Sequence, residues 1–259
     1  MIERTARRAR GDVWARIDGA ARAHGAAHLV LIDPDRAAPG RGAALAREAQ
    51  SCGVAALLVG SSTPFAVNPA PLIRAMRDEY AGPIVLFPGD PGQVRDDLDA
   101  VLFLSLLSGR DRRFLIDAQV EAAPRVLASG LEPIATAYVL IGDDATCAVA
   151  RLTGTEAIPP PRIESIVAHA QAAACLGFAL LYLEAGSGAP RPVPPEVIRA
   201  VFGGAAIPIA VGGGVREPAQ ASALVEAGAR FIITGTAHEA GAAIRPFTEA
   251  IQAPAHALR

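Results

Sequence analysis

The sequence predicts a single (β/α)8 barrel of the TIM type, and three observations predict it. Eight short apolar runs alternate with longer Ala-rich segments along the chain. Most of these runs lack polar alternation, as parallel strands buried on both faces do. The 259 residues suit one barrel domain spanning 1–259, and no domain-sized break interrupts the rhythm. An open, doubly wound sheet is the alternative that the same alternation allows.

Taken in order, the strands are expected at 28–33 (HLVLID), 55–59 (AALLV), 83–87 (PIVLF) and 100–104 (AVLFL). Four more follow at 134–141 (IATAYVLI), 177–184 (GFALLYLE), 207–211 (IPIAV) and 231–234 (FIIT). Helices are expected between them at 42–52, 71–80, 113–129, 163–176, 195–202 and 218–227. Several end near a glycine able to take positive φ, namely Gly53, Gly82, Gly130, Gly177 and Gly228. The 25 Gly and 21 Pro lie between apolar runs and act as punctuation rather than low complexity.

One gap breaks the rhythm. Between the third and fourth strands lies FPGDPGQVRDDLD, too short for two loops and a full helix. A missing outer helix there would leave an apolar notch in the barrel wall, the kind of surface that marks a binding site or subunit contact. An irregular loop covering the barrel fits the spacing equally well.

Composition bounds the function. With 51% hydrophobic and 19% charged residues there is ample material for a continuous core. A net charge of −2, with no basic block after the Arg-rich first ten residues, gives no electrostatic footprint for nucleic acid. No apolar run follows that segment, so it reads as a frayed terminus, neither signal peptide nor transmembrane segment. Cys52, Cys147 and Cys175 form no CxxC pair and read as reduced, buried thiols of a cytoplasmic protein. His24, His28, His169, His238 and His256 show no metal spacing, and His28, at the start of a strand, reads as structural.

In such barrels catalytic groups sit where strands end and loops begin. The first strand ends in Asp33-Pro34-Asp35-Arg36 and the second in Gly60-Ser61-Ser62-Thr63. The sixth ends in Tyr182-Leu183-Glu184-Ala185-Gly186-Ser187-Gly188, the seventh in Gly212-Gly213-Gly214, and the eighth in Gly235-Thr236. Paired glycine turns after the last two strands let backbone N–H groups approach an anion, with the Thr236 hydroxyl as a further donor. A helix opening near Glu217-Pro218 would aim its positive end the same way. Phosphate is therefore the expected ligand at that end. Asp33 and Asp35 are hard oxygen donors suited to Mg²⁺, or else the makings of an Asx turn. Glu184 is placed to act as a general base, to hold substrate hydroxyls, or to pair with Arg216.

HLVLIDPD, VGSST, PIVLFPG, AVLFLSLL, YLEAGSGA, VGGGVR and ITGT, in this order, resemble the geranylgeranylglyceryl phosphate synthase family. The resemblance runs from about His28 to Thr236, and YLEAGSG together with DPD is its most specific part. The chain is more similar to the longer archaeal-type group, shared by some bacteria, than to the shorter heptaprenyl-type group. The latter has Lys two residues before the metal-binding Asp, where this chain has Leu31.

The resemblance implies a barrel lacking the outer helix after strand 3. It implies transfer of a prenyl chain from geranylgeranyl diphosphate to the 3-hydroxyl of sn-glycerol 1-phosphate, a step in ether lipid biosynthesis, by a homo-oligomeric enzyme. It places Mg²⁺ on Asp33 and Ser62, and glycerol phosphate among Tyr182, Leu183, Glu184, Ala185, Gly186, Ser187 and Gly188. Gly213, Gly214, Gly235 and Thr236 would cradle the phosphate, while Glu184 and Asp33 carry the catalysis. The segment 142–155 departs from the family pattern, with Asp143, Asp144 and Arg151 in place of small residues. That leaves the prenyl length open. A phosphosugar or aromatic-phosphate isomerase or synthase would explain the phosphate turns but not DPD or the notch. A non-catalytic phosphate-binding protein would not need the set Asp33, Ser62 and Glu184.

Overall fold

The apolar runs become strands because their residues alternate between two buried faces, one toward the barrel axis and one toward the helices. In the computed structural model, which describes residues 11–142 and 147–253, they are β1 (Ala27–Ile32), β2 (Ala56–Val59), β3 (Ile84–Leu86) and β4 (Ala100–Leu106). β5 (Glu132–Leu140), β6 (Leu180–Glu184), β7 (Ile209–Gly212) and β8 (Phe231–Thr234) complete the set. All pair in parallel and in chain order, and β8 returns to β1 to close the barrel.

Around the sheet lie α1 (Asp12–His24), α2 (Pro39–Cys52), α3 (Ala70–Glu79), α4 (Ala118–Ser129) and α5 (Ala148–Thr153). α6 (Ile163–Cys175), α7 (Pro195–Gly204), α8 (Pro218–Glu226), the short α9 (Thr236–Glu239) and α10 (Arg245–Gln252) follow. Leu29, Leu58, Leu102, Leu180, Tyr182 and Phe231 fill the barrel interior. Val30, Val59, Leu86 and Val101 face α2, α3 and α4, whereas Leu181, Leu183 and Val211 face α6, α7 and α8.

α1, α5, α9 and α10 lie outside the predicted set. α1 closes the floor of the barrel: Val13, Ile17 and Ala21, one helical turn apart, pack on the interior core. Trp14 meets Phe231 at 5.5 Å, and Glu132 accepts from the Val13 and Trp14 N–H groups at 2.8 and 2.9 Å.

Other boundaries shift for local reasons. The expected strand 177–184 begins only at Leu180, because Gly177 at φ +79° makes the turn that ends α6. The expected helix 113–129 opens with a π-helical turn, Arg113–Asp117, before α4. Gly53, Gly130 and Gly228 do take positive φ, but Gly82 does not. There α3 ends in extended Tyr80, whose buried hydroxyl donates to the Val54 carbonyl at 2.7 Å. Of the three free cysteines only Cys147 is buried; Cys175 is exposed.

The gap after the third strand contains no α-helix. β3 is followed by a single 3-10 turn, Pro91–Gln93, and then by β4. β3 is so short that it pairs with β4 only at Val85–Ala100 and Leu86–Val101. Beyond Val101, β4 runs on with β5 alone, and the wall stands open on its β3 side. Among the described residues no helix is long and apolar enough to cross a membrane.

Candidate active site

Residues from both faces of β4 line one cavity of about 240 Å³ at the C-terminal mouth of the barrel. Leu102, Leu104 and Leu106 reach it from the interior face and Val101 and Phe103 from the exterior face. The space therefore begins inside the barrel, passes over the open edge of β4 and continues outside. There Pro91, Val94, Ala118, Gln119, Ala122 and Val126 enclose it, while Phe114 packs against the interior cluster. This is the apolar notch left by the absent helix.

The other end is polar. Asp33, Ser62, Tyr182, Glu184, Ser187, Gly188, Gly213, Gly214, Gly235 and Thr236 all line the same cavity. Residues from five strand ends thus meet in one place. Leu183 and Ala185 do not join them: with a period of two along β6, their side chains turn to the outer layer while Tyr182 and Glu184 face inward. Gly186 also lies outside the lining and acts on Glu184 instead.

Glu184 is buried and fully supported. Gly186 N–H donates to its Oε1 at 2.7 Å, and the Tyr182 hydroxyl donates to Oε2. Burial pushes its carboxyl above the usual range, partly offset by those two donors. Each oxygen keeps a lone pair for a substrate hydroxyl. Arg216 does not pair with it; its Nη2 donates to the Gly188 and Ala189 carbonyls at 3.2 Å.

Gly213, at φ +76°, is packed so closely that a Cβ there would overlap the Glu184 carboxylate. The helix expected to point at this site is α8. α8 starts beyond the cavity lining, and the N–H groups of Arg216 and Glu217 are taken by Gln220 Oε1 at 2.7 and 3.1 Å. The element that opens on the cavity is α9, with Gly235 at its N-cap and Thr236 as its first residue.

Behind that turn lies a buried hydrogen-bond chain. His238 Nδ1 meets the Ala242 carbonyl at 3.0 Å, so it carries the proton, and Nε2 accepts from the Thr234 hydroxyl at 2.7 Å. His28 bonds Thr234 through Nε2 at 2.6 Å and Thr248 through Nδ1 at 2.8 Å. Burial pushes His28 down to about 3, which keeps it neutral and structural.

On the opposite wall the two aspartates after β1 separate in role. Asp33 lines the cavity; its Oδ1 accepts from Asp35 N–H at 2.9 Å in an Asx turn, and burial raises its carboxyl. Asp35 turns away and accepts from the Ala66 and Val67 N–H groups at 2.9 and 3.1 Å, bracing the loop after β2. Gln93, from the 3-10 turn, accepts from Gly89 N–H and donates to the Thr63 carbonyl at 2.6 Å, fixing the segment that holds Ser62.

Phe87 and Tyr138 also line the cavity, each edge-on to Tyr182 at 5.4 and 5.2 Å. Neither stands in a polar motif that would single it out in the sequence. Of the unusual segment 142–155, Asp143 and Asp144 fall outside the described residues. In the described part, Val149, Leu152 and Thr153 of α5 form part of the cavity wall.

The chain matches the PcrB family over residues 21–251. It belongs to that family. A geranylgeranylglyceryl phosphate synthase of Methanopyrus kandleri is 45% identical over 212 residues, 82% of this chain and 88% of that one. The synthase of Thermofilum pendens is 39% identical, covering 86% and 87%. The crystal structure of (S)-3-O-geranylgeranylglyceryl phosphate synthase from Thermoplasma acidophilum, in complex with its substrate sn-glycerol-1-phosphate, superimposes with a TM-score of 0.85. It is 33% identical and covers 92% of this chain and 98% of that one.

Proposed function

We propose that this PcrB-family barrel is a single-domain prenyltransferase that joins geranylgeranyl diphosphate to the 3-hydroxyl of sn-glycerol 1-phosphate. One observation carries the reading: a polar pocket holding Glu184, Asp33 and the glycine turns is continuous with an apolar slot across β4. A soluble phosphosugar enzyme has no use for that slot. Each buried CH₂ of a prenyl tail contributes roughly 0.8 kcal/mol, so four isoprene units offer several kcal/mol after binding costs.

The acceptor phosphate would lie on Gly213, Gly214, Gly235 and Thr236, with Ser187 and Gly188 beside the glycerol. Glu184 would accept the proton of the attacking hydroxyl, its raised pKa placing it nearer neutrality. Tyr182 and Gly186 hold the carboxylate in place. Asp33 and Ser62 suit Mg²⁺. Asp33 has one carboxylate oxygen outside the Asx turn, and Ser62 offers a hydroxyl from the next strand end. Such a sparse donor set fits an ion that keeps waters and takes phosphate oxygens. Bound Mg²⁺ would neutralise charge on the departing diphosphate. A cytoplasmic location and a homo-oligomer are part of the proposal, and only the second has structural support, from exposed Val120 and Leu127 on α4.

Incubation with Mg²⁺, labelled sn-glycerol 1-phosphate and farnesyl, geranylgeranyl and heptaprenyl diphosphates tests the reading, with products identified by mass. Geranylgeranylglyceryl phosphate is the expected major product. Preference for the longest donor would overturn the chain-length assignment, and indifference to every donor would sink prenyl transfer itself.

A further inference from the structure

The cavity proposed to receive a diphosphate and a phosphate monoester is itself rich in negative charge. Four carboxylates line it, Asp33, Asp90, Glu184 and Glu239, against two guanidiniums, Arg36 and Arg216. Two polyanions are not held in such surroundings unless cations are aimed at them. Arg216 stands on the acceptor side, tied to the carbonyls of Gly188 and Ala189.

Arg36 stands on the other side, three residues after Asp33. Its Nε lies 3.6 Å from Asp33 Oδ2, and its Nη1 donates to Glu239 Oε2 at 2.8 Å. The guanidinium thus spans the carboxylate assigned to Mg²⁺ and the C-terminal end of α9. Its side chain is 59% exposed, and an ion pair so open to water is weak and readily exchanged.

We propose that Arg36 grips the diphosphate leaving group, and that Glu239 is the partner it releases to do so. In the transfer, the allylic C–O bond breaks with its electron pair going to the diphosphate oxygen. The acceptor hydroxyl oxygen forms the new bond to that carbon, and its proton passes to Glu184. Arg36 N–H groups donate to the oxygens on which charge grows. The guanidinium's rigid planar fork meets two phosphate oxygens in a fixed bidentate geometry, which a lysine ammonium, a compact point charge, does not reproduce. Glu239 is a like charge beside the diphosphate; it competes for the guanidinium and holds it at the cavity mouth between turnovers. The assignment rests on the prenyl-transfer reading of the same site.

Calorimetric titration with inorganic pyrophosphate and Mg²⁺, alongside steady-state kinetics, tests it on the full chain. Arg36→Gln is expected to weaken pyrophosphate binding and raise the prenyl diphosphate KM by about tenfold or more, leaving the acceptor KM within about twofold. Arg36→Lys should fall between. Glu239→Gln should bind pyrophosphate about threefold more tightly, the size expected for removing an exposed competitor. Wild-type affinity in Arg36→Gln overturns the grip, and weaker binding in Glu239→Gln overturns the competition. If the unaltered protein neither binds pyrophosphate with Mg²⁺ nor consumes a prenyl diphosphate, the prenyl-transfer reading falls, and this assignment with it.

Discussion

The β6–β8 side of the barrel mouth and the β3–β4 side are built on opposite terms. On the first, close glycine turns and a doubly supported carboxylate hold polar groups by direct contact and hydrogen bonds. On the second, a three-residue strand and a missing helix leave apolar side chains around an open slot. A small polar acceptor is recognised by directed hydrogen bonds, which demand position. A long hydrocarbon tail is recognised by area removed from water, which demands only room and length. Substitutions on the first side should therefore act on chemistry and acceptor, and those on the second on donor alone.

The largest expected effect is at Glu184. Glu184→Gln keeps the shape but cannot take a proton, so kcat should fall by about 10²–10⁴-fold with little change in acceptor KM. An equal rise in acceptor KM would make Glu184 a binding group. Asp33→Asn should cost roughly a hundredfold or more in Mg²⁺-dependent turnover while calorimetry shows acceptor binding retained. Normal turnover would move the metal elsewhere.

Gly213→Ala places a Cβ against Glu184 at a positive φ, and the acceptor KM should rise about tenfold or more. Donor KM is the control, since a matching rise there would erase the contrast between the two sides. Ala118→Phe fills the slot from α4, where Ala118 is only partly buried. Donor KM should rise by about tenfold, since each excluded CH₂ forfeits roughly 0.8 kcal/mol, with acceptor KM unmoved.

The smallest effect is a shift in pH profile. As the proposed base, Glu184 would work only when deprotonated, so activity should be lost as pH falls through its raised pKa. The Tyr182 hydroxyl bond lowers that pKa, and Tyr182→Phe removes it. The acid limb of kcat/KM should move to higher pH; a move downward would contradict the supporting role of Tyr182.

Much of the polar site was legible because its parts are local. Glycine at a strand end, Glu two residues after Tyr and Asp before Pro each state their conformational or chemical role within a few residues. Overreach came from the same locality. Leu183 and Ala185 belong to a recognisable run, yet the pleat sends them to the other face. The turn after β8 leads into α9, too short to register as a helix in sequence, and its first residue Thr236 lines the cavity while α8 begins outside the lining.

By itself the sequence determined the eight strands alternating with helices and the absence of a helix between β3 and β4, while closure of β8 onto β1, against an open sheet, was settled by the tertiary structure. Alternation, strand-end glycines and loop length are properties of adjacent residues. Only the tertiary structure decided what closure brings together. Gln93 reaches back to the loop holding Ser62, Arg36 meets Glu239 across 203 residues, and His28 joins His238 through Thr234 beneath the Gly235 turn. α1 seals the floor through a carboxylate 119 residues away. These pairings depend on barrel register and helix placement, which no local pattern encodes, because they arise when distant segments share one buried volume.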